Sequence, residues 1–369
     1  MTSIKNIKRT AATVFLLFGT ALVPEKAIVA QKGFGPGERT LLDAHNAYPQ
    51  NGRWTDRIDR ALSTGTPVAI EQDLFWKQNT ATGRFEIIVA HDKKELDGAP
   101  TLESYFFDKI RPLMERALAE QKRDTWPLIV LNLDFKQNHA PLLDAVFALL
   151  GKYESWLTTA PRTNTPNVVA PFTVGPLLVL SGSNEAQRAR FHDAVAVGQR
   201  LRAFGAIPPA DAPGANDDER EANLSRMSAK QLIAPKASNY TRWVNFPWLV
   251  VEPGGPRKAA DWNGADAARL QSLVRRAHTQ KLWIRFYTLD GFLNGDGVGL
   301  TKSYNFGSEV AARTRWNAAS AAGVDFIATD HYEAFHAATA TRLRCGIGSL
   351  QDPVGPAHEI AECLNLTRR

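Results

Sequence analysis

Two carboxylates stand two residues apart in Val68-Ala-Ile-Glu-Gln-Asp-Leu-Phe-Trp76, a stretch apolar enough at its front for a strand buried on both sides. Residues i and i+2 of a strand share a face, so Glu71 and Asp73 project side by side at the strand's end. Buried together they repel unless something positive sits between them. A divalent cation, Mg²⁺ or Ca²⁺, suits an all-oxygen set of this kind. An edge strand with two solvated acids is the other reading of the same stretch, and other residues decide between the two. Asp134 follows the apolar run Pro127-Leu-Ile-Val-Leu131 and supplies a third carboxylate; Asn46 can add a neutral oxygen.

Of the eight histidines, two end apolar runs beside this acid pair, in Ala44-His45-Asn46 and Ala90-His91-Asp92. A single histidine in such a place is often only a structural hydrogen-bonding group. Two of them flanking carboxylates point to a general base and a general acid. With the cation and Lys136 neutralising negative charge, the set suits a phosphodiester, an anion whose alkoxide leaving group needs a proton. The chain has no Gly-x-Ser-x-Gly elbow, no cysteine in a catalytic setting and no phosphate loop with Lys-Ser/Thr. A glycosidase also pairs carboxylates but needs no pair of histidines. A non-catalytic lipid- or sugar-binding barrel is the rival from another class, and it has no use for them either.

Short apolar runs alternate with amphipathic stretches through the chain. Strands are expected at Thr40–Ala44, Pro67–Phe75, Phe85–Ala90, Pro127–Phe135, Phe172–Leu180, Trp248–Glu252, Leu282–Thr288 and Val324–Thr329. Helices are expected at Trp54–Ser63, Leu102–Lys122 with Thr101 as its cap, His139–Tyr153, Asn184–Val197, Ala260–Gln280 and Ser308–Ala322, the last stopped by Gly323. The alternation means a parallel sheet, and about eight strands closing on themselves give a (β/α)₈ barrel, with an open doubly wound sheet as the runner-up. His45, Glu71, Asp73, His91, Asp134, Arg285 and Asp330 all fall at strand ends, which is the rim of a barrel rather than one crevice of an open sheet. Residues 208–238, rich in Ala, Pro, Asp and Asn, read as a long insertion over one face. The aromatic segment Tyr240–Trp248 reads as a loop that packs on the barrel, with contact to a membrane surface or cover over the substrate as the alternatives.

The 369 residues suffice for one large core or two smaller domains. Lys5, Lys8 and Arg9 precede the apolar run Ala11–Val23, and Ala30 is a small residue before a cut near Gln31, so residues 1–30 read as a secretory signal; an uncleaved anchor is the alternative. This segment holds four basic residues and one acid, so the formal +6 of the chain falls to +3 without it. The remaining charge favours anionic partners such as lipid head groups and gives no sign of nucleic acid. Residues 31–38 read as a glycine-rich linker, 39–340 as the barrel and 341–369 as a tail. Cys345 and Cys363 are expected to pair in an exported protein and pin that tail, worth on the order of 3 kcal/mol in the loop-entropy picture.

The ordered set Ala44-His-Asn-Ala-Tyr48, Ile70-Glu-Gln-Asp73, Val89-Ala-His-Asp92 and Leu131-Asn-Leu-Asp-Phe-Lys136, with Gly323-Val-Asp-Phe-Ile-Ala-Thr-Asp330 at the end, resembles the PLC-like phosphodiesterase superfamily. That superfamily includes glycerophosphodiester phosphodiesterases, phosphoinositide-specific phospholipases C and sphingomyelinase D toxins. Thr101–Tyr105 with Pro112-Leu113 looks like the branch named for altered inheritance of mitochondria protein 6. The resemblance covers about residues 40–335. It implies a TIM-type barrel and a metal-dependent phosphoric diester hydrolase acting on glycerophosphodiesters or phospholipid head groups, or a phospholipase C or sphingomyelinase D-like variant. It makes His45 and His91 the acid/base pair, Glu71, Asp73, Asp134 and Asn46 the metal ligands, and Lys136 a phosphate-side cation. Asp134 stands where many relatives have Glu, and His-Asn replaces the His-Arg-Gly opening of typical glycerophosphodiesterases. Arg285 and Tyr287 differ from the usual Trp-Thr; they contact substrate or form a rim salt bridge.

Overall fold

The computed structural model describes residues 34–50, 52–293 and 304–344, with side chains to residue 339. The expected signal, most of the tail and both cysteines lie outside the described residues.

Eight parallel strands close into a ring with helices around it. In chain order they are β1 (Leu41–Ala44), β2 (Val68–Gln78), β4 (Ile129–Phe135), β5 (Leu177–Ser181), β6 (Phe204–Ala206), β7 (Thr241–Pro247), β8 (Trp283–Tyr287) and β9 (Phe326–Thr329). The ring is sealed where β1 pairs with β2 on one side and with β9 on the other. The helices around it include α1 (Arg57–Ser63), α2 (Asp108–Glu120), α3 (Ala140–Lys152), the one-turn α4 (Glu185–Arg188), α7 (Gly264–Thr279), α8 (Glu309–Ala322) and α9 (Tyr332–Arg344). Their ends follow local chemistry. His139 caps α3, Asn263 and Asp266 form a capping box on α7, and Gly323 stops α8 in the left-handed conformation at φ 81°.

Four expectations need correction. Phe85–Val89 is a strand (β3), but it runs antiparallel to the outer half of β2 and stands outside the ring. Only six residues, 79–84, join the two, which allows a hairpin and not the crossover a parallel pair requires. The strand expected at Trp248–Glu252 is a single helical turn over Trp248–Val250; the true strand β7 is the aromatic segment just before it. That segment is therefore neither a membrane-touching nor a substrate-covering loop. The sixth strand is the three-residue β6, and α5 (Asp217–Arg226) and the one-turn α6 (Ala229–Leu232) lie in the insertion after it. Phe172 to Pro176 precede β5 rather than belonging to it.

Period-two alternation sorts the ring's side chains into inner and outer sets. The outer residues Leu42, Val68, Ile70, Ile129, Leu131, Val244, Ile284 and Ile327 share one buried cluster with helix residues such as Leu142, Leu273 and Trp316. The inner residues Leu41, Ala69, Val130, Leu178, Trp243, Trp283 and Phe326 form an apolar floor. Phe34, within the expected linker, packs edge-on against Phe172 and Trp283 beneath it. Gly205 in β6 has a side-chain reason to be glycine: a Cβ there would lie 2.4 Å from the Tyr240 ring.

Candidate active site

Climbing two residues along the strands from the apolar floor replaces hydrocarbon with charge. Asp43, Glu71, Asn132, Asn245 and Arg285 form the next inner layer, and His45, Asp73, Asp134 and Tyr287 the one above it. A polar layer inside a barrel is costly unless its members pair, and these do. Arg285, 2 % exposed, donates Nε to Asp43 and Nη2 to Glu71 Oε2, and Nη1 reaches Asn245 Oδ1 at 3.0 Å. Asn132 donates to the same Glu71 oxygen at 3.3 Å.

Above this layer opens a cavity of about 300 Å³. Every candidate residue lines it: His45, His91, Asn46, Glu71, Asp73, Asp134, Lys136, Arg285 and Tyr287. Tyr304, Trp243, Gln50 and Asn132 complete much of its wall.

His45 is buried and oriented. Its Nδ1 lies 2.8 Å from Asp330 Oδ1, and its Nε2 faces Glu71 Oε1 at 3.6 Å. Asp330 is itself held by Arg57 at 3.3 Å and by Asn46 Nδ2 at 3.1 and 3.3 Å. Its backbone N–H donates to Asp290 Oδ1 at 2.7 Å. Burial works against a charged imidazole, but the carboxylates of Glu71 and Asp330 outweigh it and raise His45 to about 9. For Asp330, burial is likewise outweighed, by His45 and then Arg57, so its carboxyl lies below the usual range. Asn46, at φ 51°, takes the left-handed turn after β1 that asparagine tolerates better than most residues.

Glu71, Asp73 and Asp134 place one oxygen each within 4.8 Å of one another, the spacing of a cation site. Asp73 is 1 % exposed and its Oδ1 has no hydrogen-bond partner. Burial pushes its carboxyl well above the usual range, and Asp134 and Glu71 push the same way, with Lys136 offsetting part of it. An orphaned, buried carboxylate oxygen facing two more carboxylates is a donor set that fits a divalent cation. Asn46 is differently engaged: its Oδ1 accepts from Tyr48, whose hydroxyl also lies 2.8 Å from Asp73 Oδ2.

His91 reaches the mouth from the descending strand of the hairpin rather than from a ring strand. Its side chain is 42 % exposed, with Nδ1 3.6 Å from Asp92. Lys136 bridges Asp73 Oδ2 at 2.8 Å and Asp134 Oδ2 at 2.6 Å. Tyr287 and Tyr304 meet edge to face at 6.1 Å, and Tyr304 stands 6.1 Å from the His45 ring. Arg285 forms buried salt bridges within the barrel while also lining the cavity.

Sequence reading missed Asp43, Asn132, Asn245, Tyr48 and Tyr304. The first two lie two residues before His45 and Asp134, so the same alternation that paired Glu71 with Asp73 marks them.

No family model matches the chain, and no curated protein matches it. Among solved structures, a glycerophosphoryl diester phosphodiesterase from Parabacteroides distasonis is similar at 11 % identity and TM-score 0.36, over 82 % of this chain and 87 % of that one. A calcium-dependent phosphoinositol-specific phospholipase C from a Pseudomonas species is similar at 13 % identity and TM-score 0.43, over 82 % and 92 %. An HPPK-DHPS protein from Plasmodium falciparum is similar at 9 % identity and TM-score 0.40, over 90 % and 51 %. Likenesses of this strength decide nothing about chemistry; the eight closed parallel strands make the chain a TIM-type (β/α)₈ barrel on their own evidence.

Proposed function

We propose that the protein is a metal-dependent phosphoric diester hydrolase of the PLC-like phosphodiesterase superfamily, acting on glycerophosphodiesters or phospholipid head groups. One observation carries the reading: a buried histidine, oriented by Asp330, faces a cluster of three carboxylates with an orphaned oxygen inside one cavity at the C-terminal rim of the barrel.

Glu71, Asp73 and Asp134 are the residues that would hold a divalent cation. When bound, the cation would neutralise charge on the phosphoryl oxygens and leave the phosphorus open to attack. His45 and His91 form the acid/base pair. One takes the proton of the attacking hydroxyl as the new P–O bond forms; the other gives a proton to the alkoxide as the old P–O bond breaks. Asp330 fixes the ring of His45, so that Nε2 rather than Nδ1 addresses the cavity. Lys136, reaching from Asp73 and Asp134, offers its ammonium to the substrate phosphate. Water attacks a simple diester, and a neighbouring substrate hydroxyl attacks where one exists, giving a cyclic phosphate.

Turnover of a panel of glycerophosphodiesters and phospholipids, with and without chelator, tests the reading. Chelator-sensitive release of the head group supports it. No such turnover, or turnover that survives both His45→Ala and His91→Ala, overturns it. We also place the mature chain outside the cytoplasm, with a leader removed near Gln31; the mass of the protein recovered from its native host checks that directly. Among the described residues no helix is long and apolar enough to cross a membrane.

A further inference from the structure

Each of the three clustered carboxylates has one oxygen already engaged by the protein. Glu71 Oε2 accepts from Arg285 and Asn132. Asp73 Oδ2 faces Lys136 at 2.8 Å and Tyr48 at 2.8 Å. Asp134 Oδ2 faces Lys136 at 2.6 Å. What remains for a cation is one oxygen from each: the orphaned Asp73 Oδ1, Asp134 Oδ1, and Glu71 Oε1, which has only the His45 Nε2 at 3.6 Å beside it. The groups that enforce this are themselves anchored. Arg285 is buried and tied from behind by Asp43, and Tyr48 is fully buried.

Calcium takes six to eight oxygens and uses carboxylates with both oxygens at once; magnesium takes six, keeps several waters and accepts carboxylates through single oxygens. A set of three single oxygens, each with its partner oxygen occupied, matches the second ion. We propose that Arg285 and Lys136 act as positioning residues that hold the carboxylates to one oxygen each and so set the site for Mg²⁺ against Ca²⁺. This rests on the reading of Glu71, Asp73 and Asp134 as cation ligands.

Calorimetric titration of the intact protein with MgCl₂ and with CaCl₂, without substrate, tests it. Mg²⁺ is expected to bind at least as tightly as Ca²⁺. In Arg285→Met, Glu71 Oε2 loses its charged partner and keeps only the 3.3 Å contact with Asn132, so both oxygens can turn to the ion, and the ratio of the two dissociation constants is expected to shift at least fivefold towards Ca²⁺. Lys136→Met, at a position about a quarter exposed, is the second variant should the first not fold, and it is expected to shift the ratio the same way by freeing Asp134 Oδ2 and leaving Asp73 Oδ2 to Tyr48 alone. Tighter Ca²⁺ binding in the unaltered protein, or a ratio that moves less than twofold in the folded variants, overturns the proposal. Glu71→Gln separates this from the underlying reading: if it binds both ions as the unaltered protein does, Glu71 is no ligand and the reading itself fails.

Discussion

His45 and Asp330 are 285 residues apart in the chain and 2.8 Å apart in the barrel mouth. One follows the first strand and the other follows the last, and the pairing of β1 with β9 sets them side by side. The carboxylate has further anchors in Arg57 and Asn46, and the backbone N–H of Asp330 donates to Asp290, so the imidazole has one orientation and its free nitrogen one target.

Removing either histidine is therefore expected to lower kcat by about 10²–10⁴, as for loss of a general acid or base. The exposed His91 variant should keep its melting temperature, while loss of the buried His45 should lower it by taking a partner from the buried Glu71 and Asp330. Asp330→Asn acts through His45 and should show a smaller loss of kcat, little change in KM and a displaced pH–rate profile. Steady-state kinetics across pH on the three variants distinguishes the two roles.

A chelator is expected to abolish turnover and an added divalent ion to restore it. Asp73→Asn should weaken cation binding by at least tenfold, since it replaces an orphaned oxygen that no protein group satisfies. Calorimetry on the variant, with circular dichroism to confirm folding, checks the point. Unaltered binding in a folded Asp73→Asn would remove this residue from the ligand set.

Asp290 gives the fold a pH dependence with a definite sign. It is fully buried, and burial together with the nearby Asp330 carboxylate raises it to about 7. An acid whose folded-state value lies above its unfolded one binds more protons when folded. Its contribution is thus complete below the ordinary value of 3.8 and is lost as pH rises towards 7. Asp290→Asn keeps an oxygen for Thr329 and the Asp330 amide and carries no charge. Relative to the unaltered protein, this variant should gain melting temperature between pH 5 and pH 8, on the order of a few degrees. Thermal melts at a series of pH values measure the slope.

Arg315 and Glu252 form a buried pair at 2.6 Å that ties α8 to the loop after β7, with Trp248 donating to the same carboxylate at 2.6 Å. Arg315→Met leaves that carboxylate charged and buried, which is expected to cost about 3–5 kcal/mol. Denaturant titration gives the number, and a loss below 1 kcal/mol would show that Glu252 finds another partner.

The ring and most of its rim could be read from the chain because period-two alternation is a strong signal where one face is hydrocarbon. Val68 to Asp73 shows it clearly, and it located Glu71 and Asp73 together. The same signal misleads where the inner face is polar. In β7, Arg242 and Asn245 break the apolar run, while Trp248-Leu-Val-Val251 just beyond looks more like a strand than β7 does. Yet Asn245 is polar because it meets Arg285 inside the barrel. Strand β6 is only Phe204-Gly-Ala206, too short to show any period. The hairpin was legible in principle, since the length of the 79–84 connection excludes a parallel crossover. Tyr304 had no local signal: it comes from the loop after β8 and reaches the cavity by tertiary folding alone.

The closure of the ring between its first and last strands has a consequence for the order in which the protein becomes competent. The three clustered carboxylates are all present once the chain has been synthesised to Lys136. The group that orients His45 is not present until residue 330. A nascent or truncated chain that ends before β9 can gather its acids but cannot aim its histidine. The gap between β1 and β8 is left for the last strand to fill, so a complete site reports that the whole ring has closed.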